Sequence, residues 1–272
     1  MPGKARGKKP RVRKHHRRPI RLLFFGDVVG KIGRRALAAA LPVLKRRIKP
    51  DLVIANVENA AHGIGLTVDS WRELIEAGVD VATSGDNIWS KDGAKLLAAE
   101  PNLIRPANYP AAAPGRGWVV VRHGGRRVLI MNLLGRLFIK AQPNDPFVVA
   151  DAILEREKRQ RLDAILVDYH AEATSEKGAL AWYLDGRVSA VLGTHTHVQT
   201  SDNRILPQGT ALTSDVGMCG AWDSVIGTEV SAVLAHQRTQ LPLKHDIPER
   251  GPAVVQGAYL EINARTRLAR RI

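Results

Sequence analysis

Short apolar runs alternate along the chain with segments whose apolar residues recur at helical spacing. The apolar runs predict strands over 20–25, which leads into Gly26-Asp27, and over 51–59, 79–87, 163–170 and 188–197. The intervening segments predict helices over 33–48, 68–77, 90–99, 147–160 and 175–183. Strands that alternate with helices form a largely parallel sheet with helices on its faces, so the pattern indicates an α/β fold.

The middle and the end of the chain depart from this alternation. The apolar segments WVVVRH and RRVLIMNL flank Gly124-Gly125 and predict a β-hairpin. A helix over 227–239 and a strand over 253–262 are predicted near the C-terminus. The hairpin indicates either a mixed sheet or a second sheet packed on the first.

Composition sets further bounds on the class of protein. The chain has 272 residues, 44% of them apolar, which is enough to bury the core of a single domain over 20–272. It contains no run of about 18 apolar residues, so we predict no membrane-spanning helix. The single cysteine, Cys219, excludes an internal disulfide framework and fits a reducing cytosol, so we expect a cytoplasmic protein.

Positive charge is concentrated at the N-terminus. Of the net charge of +15, residues 1–19 contribute nine Lys and Arg residues and no acidic residue. The lack of a periodic apolar pattern predicts a disordered basic tail over 1–19. Such a tail can contact RNA through counterion release, or it can be a solvated tail or a mis-assigned start of translation.

Polar residues with metal-binding side chains stand at the ends of the five predicted strands. They are Asp27, Glu58, Asn59, Asp86, Asn87, His170, His195 and His197. Parallel strands bring such ends to one edge of a sheet. Imidazole together with carboxylate and amide oxygen suits divalent Fe, Mn or Zn, and two ions about 3.5–4 Å apart are typical of displacement at phosphorus. Each residue alone also fits a turn, a helix cap or a hydrogen-bonded structural histidine.

Several longer motifs resemble those of the YmdB-like metallophosphoesterases, a branch of the calcineurin-like binuclear phosphoesterases. They are FFGDVVGKIGR (24–34), ENAAHGIGLT (58–67), RPANYP (105–110), NLLGR (132–136), DYHAEATSEK (168–177), GTHTHVQTSDNRILP (193–207) and SDVGMCG (214–220). The resemblance implies an α/β sandwich of two mixed β-sheets flanked by helices. It also implies a two-metal phosphodiesterase, usually with iron, that acts on cyclic nucleotides such as 2′,3′-cyclic AMP.

The resemblance also implies a ligand assignment for the two ions. The first ion is held by Asp27, Glu58, Asn59 and His197. The second ion is held by Glu58, Asp86, His170 and His195, so that Glu58 bridges the two. Asp168 and Asp215 either orient the metal-binding histidines from behind or cap turns.

Two positions depart from the family pattern, in which the third strand end reads Gly-Asn-His. Asp86 replaces the amide ligand by a carboxylate, which keeps an oxygen donor. Asn87 replaces the histidine that donates a proton to the leaving oxygen, and an amide has no proton to give near neutral pH. His62 is the candidate substitute acid, although bracing of its own loop is the favoured interpretation.

These observations predict a hydrolase that cleaves cyclic nucleotides by in-line attack of a metal-bridging hydroxide, weakened by Asn87. The alternative is a metal-binding regulatory or RNA-associated protein with little or no turnover. The expected partners are a small cyclic nucleotide or other phosphodiester, RNA at the basic tail and further copies of the chain, but no membrane.

Overall fold

Two mixed β-sheets lie face to face and carry most of the predicted strands. The structure is a computed structural model that describes residues 18–244 and 246–272. Its strands are β1 (Ile20–Phe25), β2 (Asp27–Val28), β3 (Leu52–Asn56), β4 (Val81–Thr83), β5 (Trp118–His123), β6 (Arg126–Leu134), β7 (Ala164–His170), β8 (Ala190–Thr194), β9 (Arg204–Ile205), β10 (Ala211–Thr213), β11 (Met218–Ala221), β12 (Ala253–Val255), β13 (Gly257–Ile262) and β14 (Ala269–Arg271). Its α-helices are α1 (Gly30–Ile48), α2 (Val68–Ala77), α3 (Gly93–Ala99), α4 (Pro146–Glu157), α5 (Thr174–Tyr183) and α6 (Val230–Thr239).

The first sheet has the strand order β14-β13-β1-β3-β4, and the second has the order β5-β6-β7-β8-β10-β9. Strands β1, β3 and β4 are parallel, as are β6, β7, β8 and β10, whereas β13, β14, β5 and β9 pair antiparallel with their neighbours. A small third sheet has the order β12-β11-β2. The predicted α/β class with two mixed sheets is therefore confirmed, and the hairpin belongs to a second sheet.

The buried apolar side chains of the described residues form three layers, because successive side chains of a strand point to opposite faces of its sheet. Leu22 and Phe24 of β1 face the second sheet, where Leu166 is one of their partners in the central layer. Leu23 and Phe25 face the opposite way, toward the helices that cover the first sheet. This is the period of two that a strand buried on both faces requires. A third layer lies between the second sheet and helices α4 and α5.

Local sequence signals set where the helices begin. The Thr67 side chain accepts a hydrogen bond from the Ser70 amide, and the Ser70 side chain accepts one from the Thr67 amide, so α2 begins with a capping box. It ends at Gly78, whose φ of 100° lies in the left-handed region. Asp145 caps α4, and Pro146 occupies the first turn, where its missing amide hydrogen costs nothing.

The structure corrects several predicted bounds. The strand over 79–87 ends at Thr83, and Asp86–Trp89 form a turn of 3-10 helix. The strand over 188–197 ends at Thr194. The strand over 253–262 is divided between two sheets. Strands β9, β10, β11 and β14 were not predicted, because two to four residues are too short to show a period.

The predicted basic tail falls mostly on residues 1–17, which lie outside the described residues. Arg18 belongs to the folded part, since its guanidinium donates to both carboxylate oxygens of Asp51 at 2.6 and 3.1 Å. In the described part of the chain, no helix combines the length and the apolar character needed to cross a membrane.

Candidate metal centre

The metal-type residues gather where the carboxyl ends of parallel strands from both sheets meet. Asp27 follows β1 after a single glycine, Glu58 follows β3 by two residues, and Asp86 starts the 3-10 turn after β4. His170 is the last residue of β7, and His195 directly follows β8. The residues were predicted to share the edge of one sheet, and the structure instead divides them between the edges of two stacked sheets.

One group of four side chains can hold a metal ion. Glu58, Asp86, His170 and His195 each offer a ligand atom, and these atoms all lie within 4.8 Å of one another. His170 Nε2 lies 3.1 Å from Glu58 Oε1, 3.6 Å from Asp86 Oδ1 and 3.0 Å from His195 Nδ1. These four residues are the set that the family resemblance assigns to the second ion.

Asp27, Asn59 and His197 form an adjoining group. His197 Nε2 lies 3.8 Å from Asp27 Oδ1 and 3.2 Å from Asn59 Nδ2. Asn59 Nδ2 also lies 3.4 Å from Glu58 Oε1, so Glu58 touches both groups. The amide nitrogen of Asn59 faces Asp27 and His197, so its oxygen can join them as a ligand only if the amide turns over.

The donor set and its packing fit a divalent cation. Asp27, Glu58, Asn59 and His170 are buried. Asp86 Oδ1 is buried and has no hydrogen-bond partner among the described residues, as expected of an atom aimed at a cation. A Cβ atom on Gly85 would lie 2.3 Å from His170 Nε2 and 2.4 Å from Glu58 Oε2, so only glycine leaves the space between them open. Imidazole nitrogen with carboxylate oxygen suits Fe, Mn and Zn.

The charges of the site favour a positive centre. Burial would lower the pKa of His170, but the surrounding carboxylates of Glu58, Asp86 and Asp27 hold that pKa well above its ordinary value. Burial raises the pKa of Asp27. Burial and the adjacent His170 lower the pKa of His195, because two positive imidazoles repel each other. Three carboxylates thus stabilise one positive charge between them, whether an imidazolium or a cation.

Hydrogen bonds fix the orientation of two histidines. Thr194 Oγ1 donates a hydrogen bond to Asp168 Oδ1 at 2.7 Å and lies 2.9 Å from His170 Nδ1. Its oxygen therefore accepts a hydrogen bond from the Nδ1–H group, and the lone pair of Nε2 is left free to bind a metal ion. His197 Nδ1 donates to the Ile226 carbonyl oxygen at 2.8 Å, which likewise frees Nε2. Asp168 therefore orients His170 through Thr194, which favours the first of its two predicted roles, orienting a histidine, over capping a turn.

Asp215 acts on the backbone. Its Oδ2 accepts from the amide of Thr196 at 3.0 Å and its Oδ1 accepts from the amide of Gly217 at 2.8 Å. It thus caps the loop between the two histidines and does not contact an imidazole.

Sequence reasoning missed Glu172 and Asn56. Glu172 Oε2 lies 3.1 Å from His195 Nε2, on the side of the ring away from His170. Asn56 Nδ2 donates to Asp168 Oδ2 at 3.1 Å from the middle of the buried site. Glu172 stands two residues after a candidate ligand, which was a usable signal, whereas Asn56 lies on a strand where nothing distinguished it.

Asn87 faces the centre. Its Nδ2 lies 3.1 Å from both Glu58 Oε1 and Asn59 Oδ1, and its backbone amide donates to Glu58 Oε2 at 2.9 Å. Position 87 is thus directly beside the carboxylate that joins the two groups. Here the asparagine donates hydrogen bonds, and it holds Glu58 through two of them.

His62 lies elsewhere. Its side chain is exposed, and its backbone has a φ of 55°. It lines a cavity of about 340 Å³ together with Lys31, Lys91 and Lys244, and none of the candidate ligands lines that cavity. The structure therefore does not bring His62 together with the ligand cluster, and nothing in its placement favours it as the substitute acid.

Comparison with known proteins decides the family. The model of the YmdB-like protein family matches residues 23–272. The chain belongs to the YmdB-like family. The match covers the described domain almost from its first strand to its last residue.

Three relatives match over most of their length. A 2′,3′-cyclic-nucleotide 2′-phosphodiesterase of Bacillus subtilis strain 168 is 44% identical over 254 residues, which are 93% of this chain and 95% of that protein. The crystal structure of a hypothetical protein from Thermus thermophilus is 43% identical, with a TM-score of 0.81, covering 89% of this chain and 99% of that one. The crystal structure of a phosphatase from Mycoplasma pneumoniae is 34% identical, with a TM-score of 0.86, covering 92% and 90%.

These similarities confirm the predicted family, the predicted fold class and the prediction of an enzyme of the phosphoesterase type.

Proposed function

We propose that this protein is a metal-dependent phosphodiesterase that hydrolyses 2′,3′-cyclic nucleotides. One observation carries the proposal: two groups of nitrogen and oxygen donors adjoin at Glu58, as a pair of ions sharing one carboxylate requires. The substrate class is taken from the Bacillus subtilis relative, whose name specifies a cyclic-nucleotide phosphodiesterase.

The proposed ligands divide as the two groups do. Asp27, Glu58 and His197 hold the first ion, together with Asn59 once its amide has turned its oxygen toward them, and Glu58, Asp86, His170 and His195 hold the second. When bound, divalent ions of this kind lower the pKa of water and neutralise charge on a phosphodiester. Iron is the expected metal, with manganese or zinc as alternatives, since all three accept this donor set.

The protein's own residues orient the ligands and bind the substrate. Thr194 and Asp168 keep Nε2 of His170 directed at the cluster, and the Ile226 carbonyl does the same for His197. When Asn59 turns its amide oxygen toward the first ion, the Asn87 hydrogen that this oxygen accepted is released and can donate to an oxygen of the substrate, but an amide cannot transfer a proton to it. We therefore expect cleavage of esters with good leaving groups to exceed cleavage of a ribose cyclic phosphate.

The test combines metal analysis with turnover. Protein purified without chelators is analysed for metal and is assayed on 2′,3′-cyclic AMP and on bis-p-nitrophenyl phosphate, with Mn²⁺ or Fe²⁺ added. We expect about two ions per chain and metal-dependent turnover of both substrates, with the aryl ester cleaved faster. Metal-replete protein that cleaves neither substrate would refute the proposed activity.

The second candidate is a metal-binding regulatory or RNA-associated protein with little turnover. Asn87 at the position of the family's proton donor favours it, as do nine Lys and Arg residues within 1–19. In that case metal binds but neither ester is cleaved, and removal of residues 1–19 weakens RNA binding and flattens its dependence on salt. If the tail is only a solvated extension, its removal leaves that dependence unchanged.

A further inference from the structure

A lysine is completely buried beside the loop that carries two of the proposed ligands. Lys177 lies in α5, and its Nζ donates to Asp215 Oδ2 at 2.9 Å. Both side chains are about 1% exposed. Lysine is almost never fully buried unless it is paired, and a buried ion pair often stabilises a protein no more than apolar residues of similar volume would. The pair therefore calls for a role besides stability.

The contacts of the pair lead to the loop between His195 and His197. The Asp215 oxygen that binds Lys177 also accepts from the backbone amide of Thr196 at 3.0 Å. A Cβ atom on Gly193 would lie 2.8 Å from Lys177 Cδ, so the lysine stem packs against the strand end from which the loop departs. Lys177 thus packs against the strand end at which the loop begins, and Asp215 holds the amide at the centre of the loop.

The loop needs such support because its backbone is unusual. His195 has a φ of 105° and His197 a φ of 64°, both in the left-handed region that favours glycine. Strained residues of this kind persist only where the surrounding contacts determine their conformation. Thr196 lies between the two histidines, so the bond from its amide to Asp215 fixes the backbone that aims both imidazoles.

We infer that Asp215, with Lys177 as its buried counter-charge, is a positioning device for the metal centre: Lys177 neutralises the Asp215 carboxylate, and the bond that Asp215 accepts from the Thr196 amide holds His195 and His197 in their ligating conformation. The inference rests on the proposed function, because it assumes that both histidines bind metal. Neither Lys177 nor Asp215 contacts substrate or metal in this role.

Two double variants separate positioning from stability. Lys177→Met with Asp215→Asn removes the buried charges and keeps one oxygen that can accept from the Thr196 amide, although its amide nitrogen then faces the amide of Gly217. Lys177→Met with Asp215→Leu also removes the charges and supplies no acceptor. Neither variant leaves a lone buried charge, so both are expected to fold.

The probe is Co²⁺ added to protein freed of metal, followed by its visible absorption, which changes with ligand geometry. We expect the asparagine variant to bind Co²⁺ within about tenfold of the unmodified protein, because the Thr196 bond is kept and only the Gly217 bond is lost. We expect the leucine variant to bind about 10- to 100-fold more weakly and with an altered spectrum. Ile153→Ala, a truncation in the apolar layer under α4, serves as a destabilised control whose Co²⁺ affinity is expected to stay unchanged.

The outcomes distinguish this inference from the proposed function. If the unmodified protein binds no Co²⁺, the metal centre itself is refuted. If the unmodified protein and the leucine variant bind Co²⁺ equally with the same spectrum, the pair is only structural and the inference is overturned. Should the leucine variant not fold, Lys177→Met with Asp215→Ala takes its place, since alanine also lacks the acceptor and equal binding would again overturn the inference.

Discussion

The two sheets contribute chemically different halves to the candidate centre. The first sheet supplies oxygen donors, because Asp27, Glu58, Asn59 and Asp86 all follow its parallel strands. The second sheet supplies nitrogen donors from His170, His195 and His197. We call these residues the oxygen half and the nitrogen half.

The two halves are held in place by different means. In the oxygen half, the neighbouring Asn87 holds Glu58 by two hydrogen bonds, one from its backbone amide and one from its side chain. In the nitrogen half, supporting groups outside the ligand set act on each histidine, and two of the three histidines lie in left-handed backbone. The oxygen half therefore supplies the negative charge of the site. The nitrogen half supplies imidazole nitrogens in fixed orientations, and these favour Fe, Mn or Zn over Mg or Ca.

Glu58→Ala is expected to have the largest effect, because Glu58 touches both groups of donors. Metal content should fall from about two ions per chain to nearly none. Turnover of bis-p-nitrophenyl phosphate should fall more than about 10³-fold, since Lewis-acid stabilisation is worth several kcal/mol. Metal analysis by mass spectrometry and steady-state assays measure the two quantities.

Glu155→Ala is the matched control, since Glu155 lies on the exposed face of α4 and should lose neither metal nor turnover. If Glu58→Ala retains about one ion, Glu58 does not join the two groups and the division into halves is incomplete.

Asn87→His is expected to raise activity, because it restores a proton donor beside Glu58. The gain should be about 10²-fold on 2′,3′-cyclic AMP, whose alkoxide leaving group needs protonation. It should be small on the aryl ester, because a nitrophenolate leaves without a proton. Comparison of kcat/KM for the two substrates, with metal content verified in both proteins, gives the result.

Asn203→His places the same substitution at an exposed site and is expected to change neither substrate's turnover. Equal gains on both substrates would mean that position 87 acts through the oxygen half and its metal. No gain on either would mean that another group already supplies the proton, or that position 87 does not face the leaving group.

The strand-end pattern predicted the residues of both halves, but it did not predict the backbone conformation that directs two of the histidines. Asp27 and Glu58 closely follow apolar strands, and a period of two together with strand–helix alternation is enough to bring such ends together. The positive φ values of His195 and His197 depend on contacts with Asp215 and Ile226, which are distant in sequence. No local pattern encodes those contacts.

Asp168→Asn tests the buried support of the nitrogen half. One Asp168 oxygen accepts from Thr194 and the other from Asn56, so an amide at position 168 either sets its nitrogen against the Asn56 donor or donates to the Thr194 hydroxyl, whose own proton then has to turn away, toward His170 Nδ1. We expect affinity for Co²⁺ to fall about 10- to 100-fold, as is typical when the partner behind a ligating histidine is lost. Asp163→Asn, a change just before β7 at the strand end away from the cluster, is the control and should leave affinity unchanged. Unaltered affinity in Asp168→Asn would show that Thr194 orients His170 without the carboxylate.

Glu172→Gln is expected to have the smallest effect. Glu172 Oε2 lies 3.1 Å from His195 Nε2 and accepts a hydrogen bond from the proton on that nitrogen. The lone pair of His195 Nδ1, on the side of the cluster, is then free to bind a metal ion. The Glu172 side chain is 47% exposed, so solvent screens its charge, and an exposed ion pair is worth about 0.2–1 kcal/mol. Glutamine keeps an oxygen acceptor, so Co²⁺ affinity should fall by no more than about fivefold, while Glu172→Leu, which has no acceptor, should lower it further. If Glu172→Gln costs as much as Asp168→Asn, then charge and not hydrogen-bond direction governs the nitrogen half, and the distinction between the two halves fails at His195.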